Sequence, residues 1–274
     1  MKMSIKIIQN ICTGSNCYKA GGKITVKGIM LHSVGCNQPK ASVFIDQWNR
    51  NVTDVCAHGV IDPDGVYQTL PWNHFGWHAG SPANNSYIGI ETTEPASIIY
   101  TGGASFKDSD PAATKAHIKA VYDKAVELFA YLCQTYKLDP LGKNVIISHN
   151  EGRLLGIATS HVDPDHLWAK YGYTMDGFRK AVKAKMAAPV AEKVLDEKGY
   201  IKGKKTIGVL TYKEWLIFAK EKGYIKQGVK EDECFGEGTE KATNELLKKW
   251  GYKQTGIAGA NLIKRLKKEI AKLK

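Results

Sequence analysis

Three short apolar runs constrain this chain most: ITVKGIMLHSV (24–34), YIGIET (Tyr87–Thr92) and KNVIISHN (143–150). Each is rich in β-branched and aliphatic residues and too short for a helical core segment, so each reads as a buried strand. Each also ends at or near a residue capable of chemistry: His32, Glu91 and His149. Side chains at strand ends can converge on one mouth of a sheet although they are far apart in sequence. The text between the runs is helical or turn-like. PKASVFIDQWNRN carries Val43 and Trp48 on one helical face, and AHGVIDPDGVYQTLP is a hairpin about DPDG. In the segment after 109, Asp110 is the candidate N-cap and Pro111 the first helical residue. Ile118, Val121, Tyr122, Ala125, Leu128, Phe129 and Leu132 recur at three and four, and Asp139–Pro140 stops the helix. TMDGFRKAVKAKMAA is a last helix before Pro189. This alternation predicts an α/β fold: a mixed central β-sheet flanked by helices, with its functional residues at one mouth.

Residues 148–168, SHNEGRLLGIATSHVDPDHLW, hold His149, His161 and His166 beside Asp163 and Asp165. The whole chain has eight histidines, so three here are a concentration that needs a reason. A catalytic zinc takes three protein ligands and leaves a fourth position open. His32, His149 and Asp163 would supply a His₂Asp set. Taken singly, each has a commoner use. A histidine at a strand end is usually a hydrogen-bonding residue, Asp163 before Pro164 suits a turn, and Asp165 suits a helix cap.

The surrounding words resemble the zinc-dependent N-acetylmuramoyl-L-alanine amidases of the type 2 family, which includes peptidoglycan recognition proteins and phage endolysins. The words are GIMLHSVG with His32, AHGVIDPDGVYQTLP, WHAG at 77–80, IGIE at 88–91, SHNE with His149, and HVDP with Asp163. The likeness covers about residues 20–180. It implies a Zn²⁺ site of His32, His149 and Asp163, and Glu91 as general base and proton donor, with Glu94 as a nearby alternative. The family's lysine before the ligand Asp is replaced by His161, which would take its place beside the developing oxyanion. The stretch from His149 to Asp163 is also longer than usual, which leaves His161 and His166 as rival third ligands. Trp77 and His78 would touch glycan or stem peptide, with Tyr67 as a further substrate contact. The implied substrate is the amide between N-acetylmuramic acid and L-alanine in bacterial peptidoglycan.

Charge divides the chain. Residues 1–188 hold 19 Lys+Arg against 15 Asp+Glu, whereas 189–274 hold 20 against 12. The expected organisation is a catalytic domain over 1–188 and a basic helical cell-wall-binding domain over 189–274. EKGYIK occurs twice in the tail, at 197–202 and 221–226. The stretch from Cys234 onward resembles the peptidoglycan-binding domain type 1 family, with Thr239 expected to cap a helix over 241–250. A net charge of +12 favours anionic partners. The lysines are not interleaved with stacking aromatics, however, so no nucleic acid is expected as partner. No run approaches membrane-span length, and MKMSIKIIQN has no apolar signal core. The expectation is therefore a protein made in a host cytoplasm without a signal peptide, acting on the wall after release, as a phage or prophage endolysin does. A bacterial autolysin and a non-catalytic recognition protein are the alternatives. The six cysteines form no CxxC pair and read as free thiols.

Overall fold

Side-chain alternation along two central strands decides which residues enter the core and which face the site. The computed structural model describes residues 5–80, 82–187, 200–203, 207–230, 232 and 234–271. They fall into two units, one within 1–188 and one within 189–274. The junction expected at 188/189 and residues 197–199 of the first EKGYIK copy lie outside the described residues.

The first unit runs β1 (Ile8–Gln9), α1 (Asn16–Ala20), β2 (Gly28–Ser33), α2 (Ala41–Asn49), β3 (Gly59–Asp62), β4 (Gly65–Gln68), β5 (Tyr87–Thr92), β6 (Ile98–Gly102), β7 (Ser105–Asp108), α3 (Pro111–Tyr136), β8 (Ile146–Ser148), α4 (His149–Leu154), α5 (Asp165–Trp168) and α6 (Met175–Ala187). Six strands make one mixed sheet in the order β1-β4-β3-β5-β2-β8, and β6 and β7 form a separate hairpin. Only β3 and β4 pair antiparallel in the large sheet. β2 lies between β5 and β8 and is parallel to both.

Both faces of β2 and β5 are covered, so every residue of each strand is buried. Ile29 and Leu31 of β2 and Ile88 and Ile90 of β5 point to one face, where they meet Ile118, Val121, Ala125, Leu128, Phe129 and Leu132 of α3. Phe178 and Val182 of α6 join the same core. Because successive strand residues alternate, Met30, His32, Gly89 and Glu91 belong to the opposite face. There Met30 packs in a second cluster with Ala79, Ala83, Tyr87 and Ile147. A third cluster holds Trp48 of α2 with Cys12, Cys17, Cys56, Val60 and Leu70. All six cysteines are free thiols.

α3 begins as its sequence predicts. Asp110 accepts a hydrogen bond from the Ala113 N–H at 3.0 Å, and Pro111 occupies the first turn. The helix ends with Lys137 in the left-handed conformation, its N–H bonded to the Cys133 carbonyl. One expected boundary moves. The strand after α3 stops at Ser148, and His149 opens a helix instead of closing the strand.

The second unit is helical: α7 (Ile207–Glu221), α8 (Glu237–Lys249) and α9 (Ala260–Ala271). Tyr200, Tyr212, Leu216, Phe235, Leu246, Leu262, Ile263 and Leu266 form its core. The expected Thr239 cap is corrected: α8 starts at Glu237, four residues before the expected 241, its N-cap is Gly236, and Thr239 is buried within it. Buried Lys213 is held by Asp232 at 2.7 Å and by the Cys234 carbonyl at 2.9 Å. No helix among the described residues is long and apolar enough to cross a membrane.

Phe178 is fully buried, with ring centroids 4.9 Å from Phe129, 5.5 Å from Tyr122 and 5.6 Å from Trp168. Phe178→Ala is predicted to destabilise the first unit by about 3–5 kcal/mol, measured as a lowered urea midpoint by tryptophan fluorescence. A change below about 1 kcal/mol would contradict this account of the core.

Candidate metal centre and active site

Strand register brings the polar residues together. His32 on β2 lies opposite Glu91 on β5. On the other side of β2, Ser148 pairs with Leu31, so His149 emerges beside His32. A capping box holds that corner. The Ser148 hydroxyl accepts from the Glu151 N–H, and the Glu151 carboxylate accepts from the Ser148 N–H, both at 3.0 Å. Arg179 of α6 grips Glu151 at 2.9 Å. Glu151 is thus a structural helix-start residue.

Asp163 reaches the same place from the segment before α5. Its Oδ2 accepts from the Ser33 N–H at 3.1 Å. Asp165 accepts from the Ser148 hydroxyl at 3.1 Å and the Asn150 amide at 2.9 Å. It therefore ties this loop to the start of α4 and does not cap α5, which has no side-chain cap.

His32, His149 and Asp163 are all buried and each offers one donor atom to a common centre. His32 Nδ1 lies 2.9 Å from His149 Nδ1. Asp163 Oδ2 is 3.4 Å from His32 Nδ1, and Oδ1 is 3.5 Å from His149 Nδ1. Bonds of about 2.0–2.2 Å in a tetrahedral site put donor atoms roughly 3.3–3.6 Å apart. The two carboxylate separations, one from each oxygen of Asp163, fall in that range, and the separation between the imidazole nitrogens is shorter.

Hydrogen bonding fixes what these nitrogens present. The Tyr87 carbonyl can only accept, so His78 Nε2, 3.1 Å away, carries a proton. Burial and the neighbouring histidines hold the pKa of His78 well below the ordinary imidazole value, so its ring is neutral and Nδ1 has a lone pair. That lone pair accepts from His32 Nε2–H at 3.0 Å. A neutral His32 then turns its Nδ1 lone pair toward His149 Nδ1. His149 Nε2 lies 2.9 Å from the Thr159 hydroxyl. The contact is satisfied when one proton, carried by His149 Nδ1, lies between the two nitrogens, and a metal ion in place of that proton would be met by a lone pair from each ring. Burial opposes charge on His32, but the carboxylates of Glu91 and Asp163 outweigh it and raise its pKa. Burial would raise Asp163, yet His32 and His149 hold it below the usual carboxylate range. The donor set fits a divalent ion such as zinc.

Two further carboxylates have opposite surroundings. Glu94 is fully buried and accepts from the Ser33 hydroxyl at 2.6 Å, the Gly35 N–H at 3.2 Å and the Tyr100 hydroxyl at 2.7 Å. Glu91 Oε2 is buried with no hydrogen-bond partner among the described residues. Burial pushes the Glu91 carboxyl up to about 7; His32 opposes this, and Asp163 and Glu94 reinforce it. Glu91 is thus a carboxyl able to gain and lose a proton near neutrality, whereas the oxygens of Glu94 are engaged.

The remaining candidates scatter. His161 is exposed, its ring centroid 4.9 Å from that of His149, so it stands at the opening. His166 turns away and bonds Tyr100 at 2.7 Å. Trp77 is half-buried, and its backbone pairs with Cys56. His78 is buried, with both ring nitrogens already used. Tyr67 sits two strands from Glu91, through Val60, with its hydroxyl by Asp62. Thr159 and Tyr100 were not singled out from sequence. Neither lies in a motif, and only the folded chain shows their partners.

A family model described as N-acetylmuramoyl-L-alanine amidase matches residues 22–166, more than half the chain. Protein Ami of Listeria monocytogenes is 26% identical over 169 residues, covering 59% of this chain and 16% of its own length. A bifunctional autolysin of Staphylococcus epidermidis is 24% identical over 149 residues, covering 54% of this chain and 10% of its own. The chain therefore spans a small part of the curated relatives it matches. Among solved structures, the Staphylococcus aureus hydrolase AmiA in complex with its ligand superposes with a TM-score of 0.51 at 19% identity. That match covers 67% of this chain and 84% of the other, and it supports the fold.

The geometry separates the rival third ligands. Asp163→Ala is predicted to weaken zinc binding by more than about 100-fold and His161→Ala by less than about 5-fold. Competition with a chromophoric chelator measures both. The reverse order would assign the third position to His161.

Proposed function

The chain belongs to the N-acetylmuramoyl-L-alanine amidase family, and we propose that it hydrolyses the amide joining N-acetylmuramic acid to L-alanine in bacterial peptidoglycan. The observation that carries this reading is the buried Glu91 carboxyl, its Oε2 without a hydrogen-bond partner among the described residues, beside a His32–His149–Asp163 donor set. His32, His149 and Asp163 would hold Zn²⁺. When bound, the ion supplies Lewis acidity, making a water more acidic and polarising the scissile carbonyl.

The chain's own residues do the rest. Glu91 takes a proton from the attacking water and later delivers it to the leaving alanine nitrogen. Both transfers need a carboxyl whose pKa lies near neutrality, which its burial provides. His161, exposed at the opening beside His149, donates a hydrogen bond to the developing oxyanion. Glu94 fixes Ser33 and Gly35, and Ser33 in turn orients Asp163 through its N–H. Having every element of a hydrolytic site favours an enzyme over a non-catalytic recognition protein. The lytic, endolysin-type role is part of the proposal, as is wall binding by the basic unit within 189–274.

Purified protein incubated with Gram-positive peptidoglycan is expected to release new alanine amino termini, abolished by chelator and restored by zinc. New reducing sugar ends would instead mean that a glycosidic bond is cut, and binding with neither product would leave a recognition protein. Glu91→Gln is predicted to lower kcat by about 10²–10⁴-fold while zinc affinity changes little.

The same carboxyl sets a pH dependence. As a base it must be ionised, so kcat/KM should fall as pH drops through the Glu91 pKa. That pKa is about 7 without metal, and a nearby cation shifts it lower. The acid limb should therefore lie at or below about 7 and vanish in Glu91→Gln. A limb that persists unchanged in the variant would remove Glu91 from the role of base.

Truncation after residue 188 tests the tail. It should leave cleavage of soluble muropeptides within about 3-fold of the full chain but abolish co-sedimentation with insoluble walls at moderate salt. Unchanged sedimentation would assign wall binding to the first unit.

A further inference from the structure

The WHAG segment at 77–80 lies beneath the donor set, and its hydrogen bonds run to the imidazoles. His78 Nδ1 meets His32 Nε2 at 3.0 Å, and His78 Nε2 meets the Tyr87 carbonyl at 3.1 Å. The carbonyl end has no proton to give, so a neutral His78 ring sets the polarity of this relay. It runs Tyr87 C=O ← H–Nε2 His78 Nδ1 ← H–Nε2 His32, leaving His32 Nδ1 as the donor atom.

The surroundings are built to hold that ring. Asn84 Oδ1 accepts from the backbone N–H of His78 at 3.1 Å and of Ala79 at 2.9 Å. On β5, a Cβ at Gly89 would come within 2.3 Å of His78 Cγ, so glycine at 89 makes the space for the imidazole. His58 packs on the other side, its ring centroid 5.7 Å from that of His78. The next residue serves the second imidazole. The Ala79 carbonyl accepts from the Thr159 N–H at 2.9 Å, and the Thr159 hydroxyl lies 2.9 Å from His149 Nε2.

We infer that His78 is a positioning residue for the metal centre, selecting the Nδ1-donating tautomer of His32, and is not a substrate contact. The inference rests on reading His32 as a zinc ligand. The acceptor at the far nitrogen of a ligating imidazole sets its tautomer and orientation, and losing such a partner typically costs about 10–100-fold in metal affinity. Here that acceptor is a neutral histidine, itself fixed by a main-chain carbonyl.

The test compares His78→Leu, which fills the space without an acceptor, with His78→Asn, whose Oδ1 can stand near the Nδ1 position. Zinc affinity of the full chain is read by chelator competition, and folding by thermal melting. The Leu variant is expected to bind zinc about 10–100-fold more weakly, and the Asn variant within about 5-fold of the parent. Imidazole ¹⁵N spectra of the parent should show His78 protonated at Nε2 only. Equal affinity in the parent and the Leu variant would overturn the inference. So would an Asn variant as weak as Leu, or a proton on His78 Nδ1. If the Leu variant does not fold, the parent spectrum and the Asn variant decide. A parent that binds zinc but releases no alanine amines would refute the proposed reaction and leave this inference standing.

Discussion

Two imidazole nitrogens 2.9 Å apart, both facing a buried carboxylate, are the constraint around which the first unit is arranged. Such a trio needs a proton or a metal ion between its nitrogens, because burial removes the water that would otherwise separate the lone pairs. The fold nonetheless commits three strands to it. β8 and β5 flank β2 in parallel register, and only that order sets His149 and Glu91 on either side of His32. The Ser148–Glu151 capping box then turns the chain sharply enough for His149 to leave the strand without leaving the site.

Glu91 and Glu94 show how environment divides labour between chemically identical groups. They lie three residues apart, and both are buried. Glu94 accepts three hydrogen bonds that oppose the effect of burial, which still holds its carboxyl above the ordinary value. Glu91 Oε2 receives none among the described residues, and the carboxylate's negative charge is compensated mainly by the field of His32. An uncompensated carboxylate in a dry site costs stability, and the group answers with a raised pKa. A carboxyl balanced in this way can change protonation with small changes nearby, which a proton shuttle requires.

The sequence was most legible where a local rule applies. The period of α3, its Asp110 cap and the limits of YIGIET follow from spacing and turn chemistry, and the structure has them. Strand ends as a meeting place for His32, Glu91 and His149 were also legible, because strand ends are local while convergence follows from sheet architecture. Long-range contacts were not. Only the fold reveals that the Ser33 N–H receives Asp163 from 130 residues away, while His166, three positions further on, turns to Tyr100. The inward turn of His78 was unreadable for a related reason. Its segment is a loop, where no period tells inside from outside, and the clue lay on another strand, at Gly89. The β6–β7 hairpin escaped reading because its residues alternate only weakly between buried and exposed.

The two faces of the sheet divide stability from chemistry. On one face, Ile29, Leu31, Ile88 and Ile90 meet α3 and α6 in a cluster made of apolar side chains. At alternate positions on the same strands, the other face carries His32 and Glu91, joined there by His78 and Asp163, all buried. Each of these polar groups taxes folding unless it is hydrogen-bonded or neutralised. A single strand cannot relieve that cost, because moving its register by one residue would exchange the faces and bury isoleucines in the site. The apolar face must therefore be large enough to offset the polar one. This accounts for a 26-residue helix lying across a sheet whose central strands are only six residues long. Substitutions on the α3 face should accordingly act on stability and leave the donor geometry intact, and those on the His32 face should act on the chemistry first.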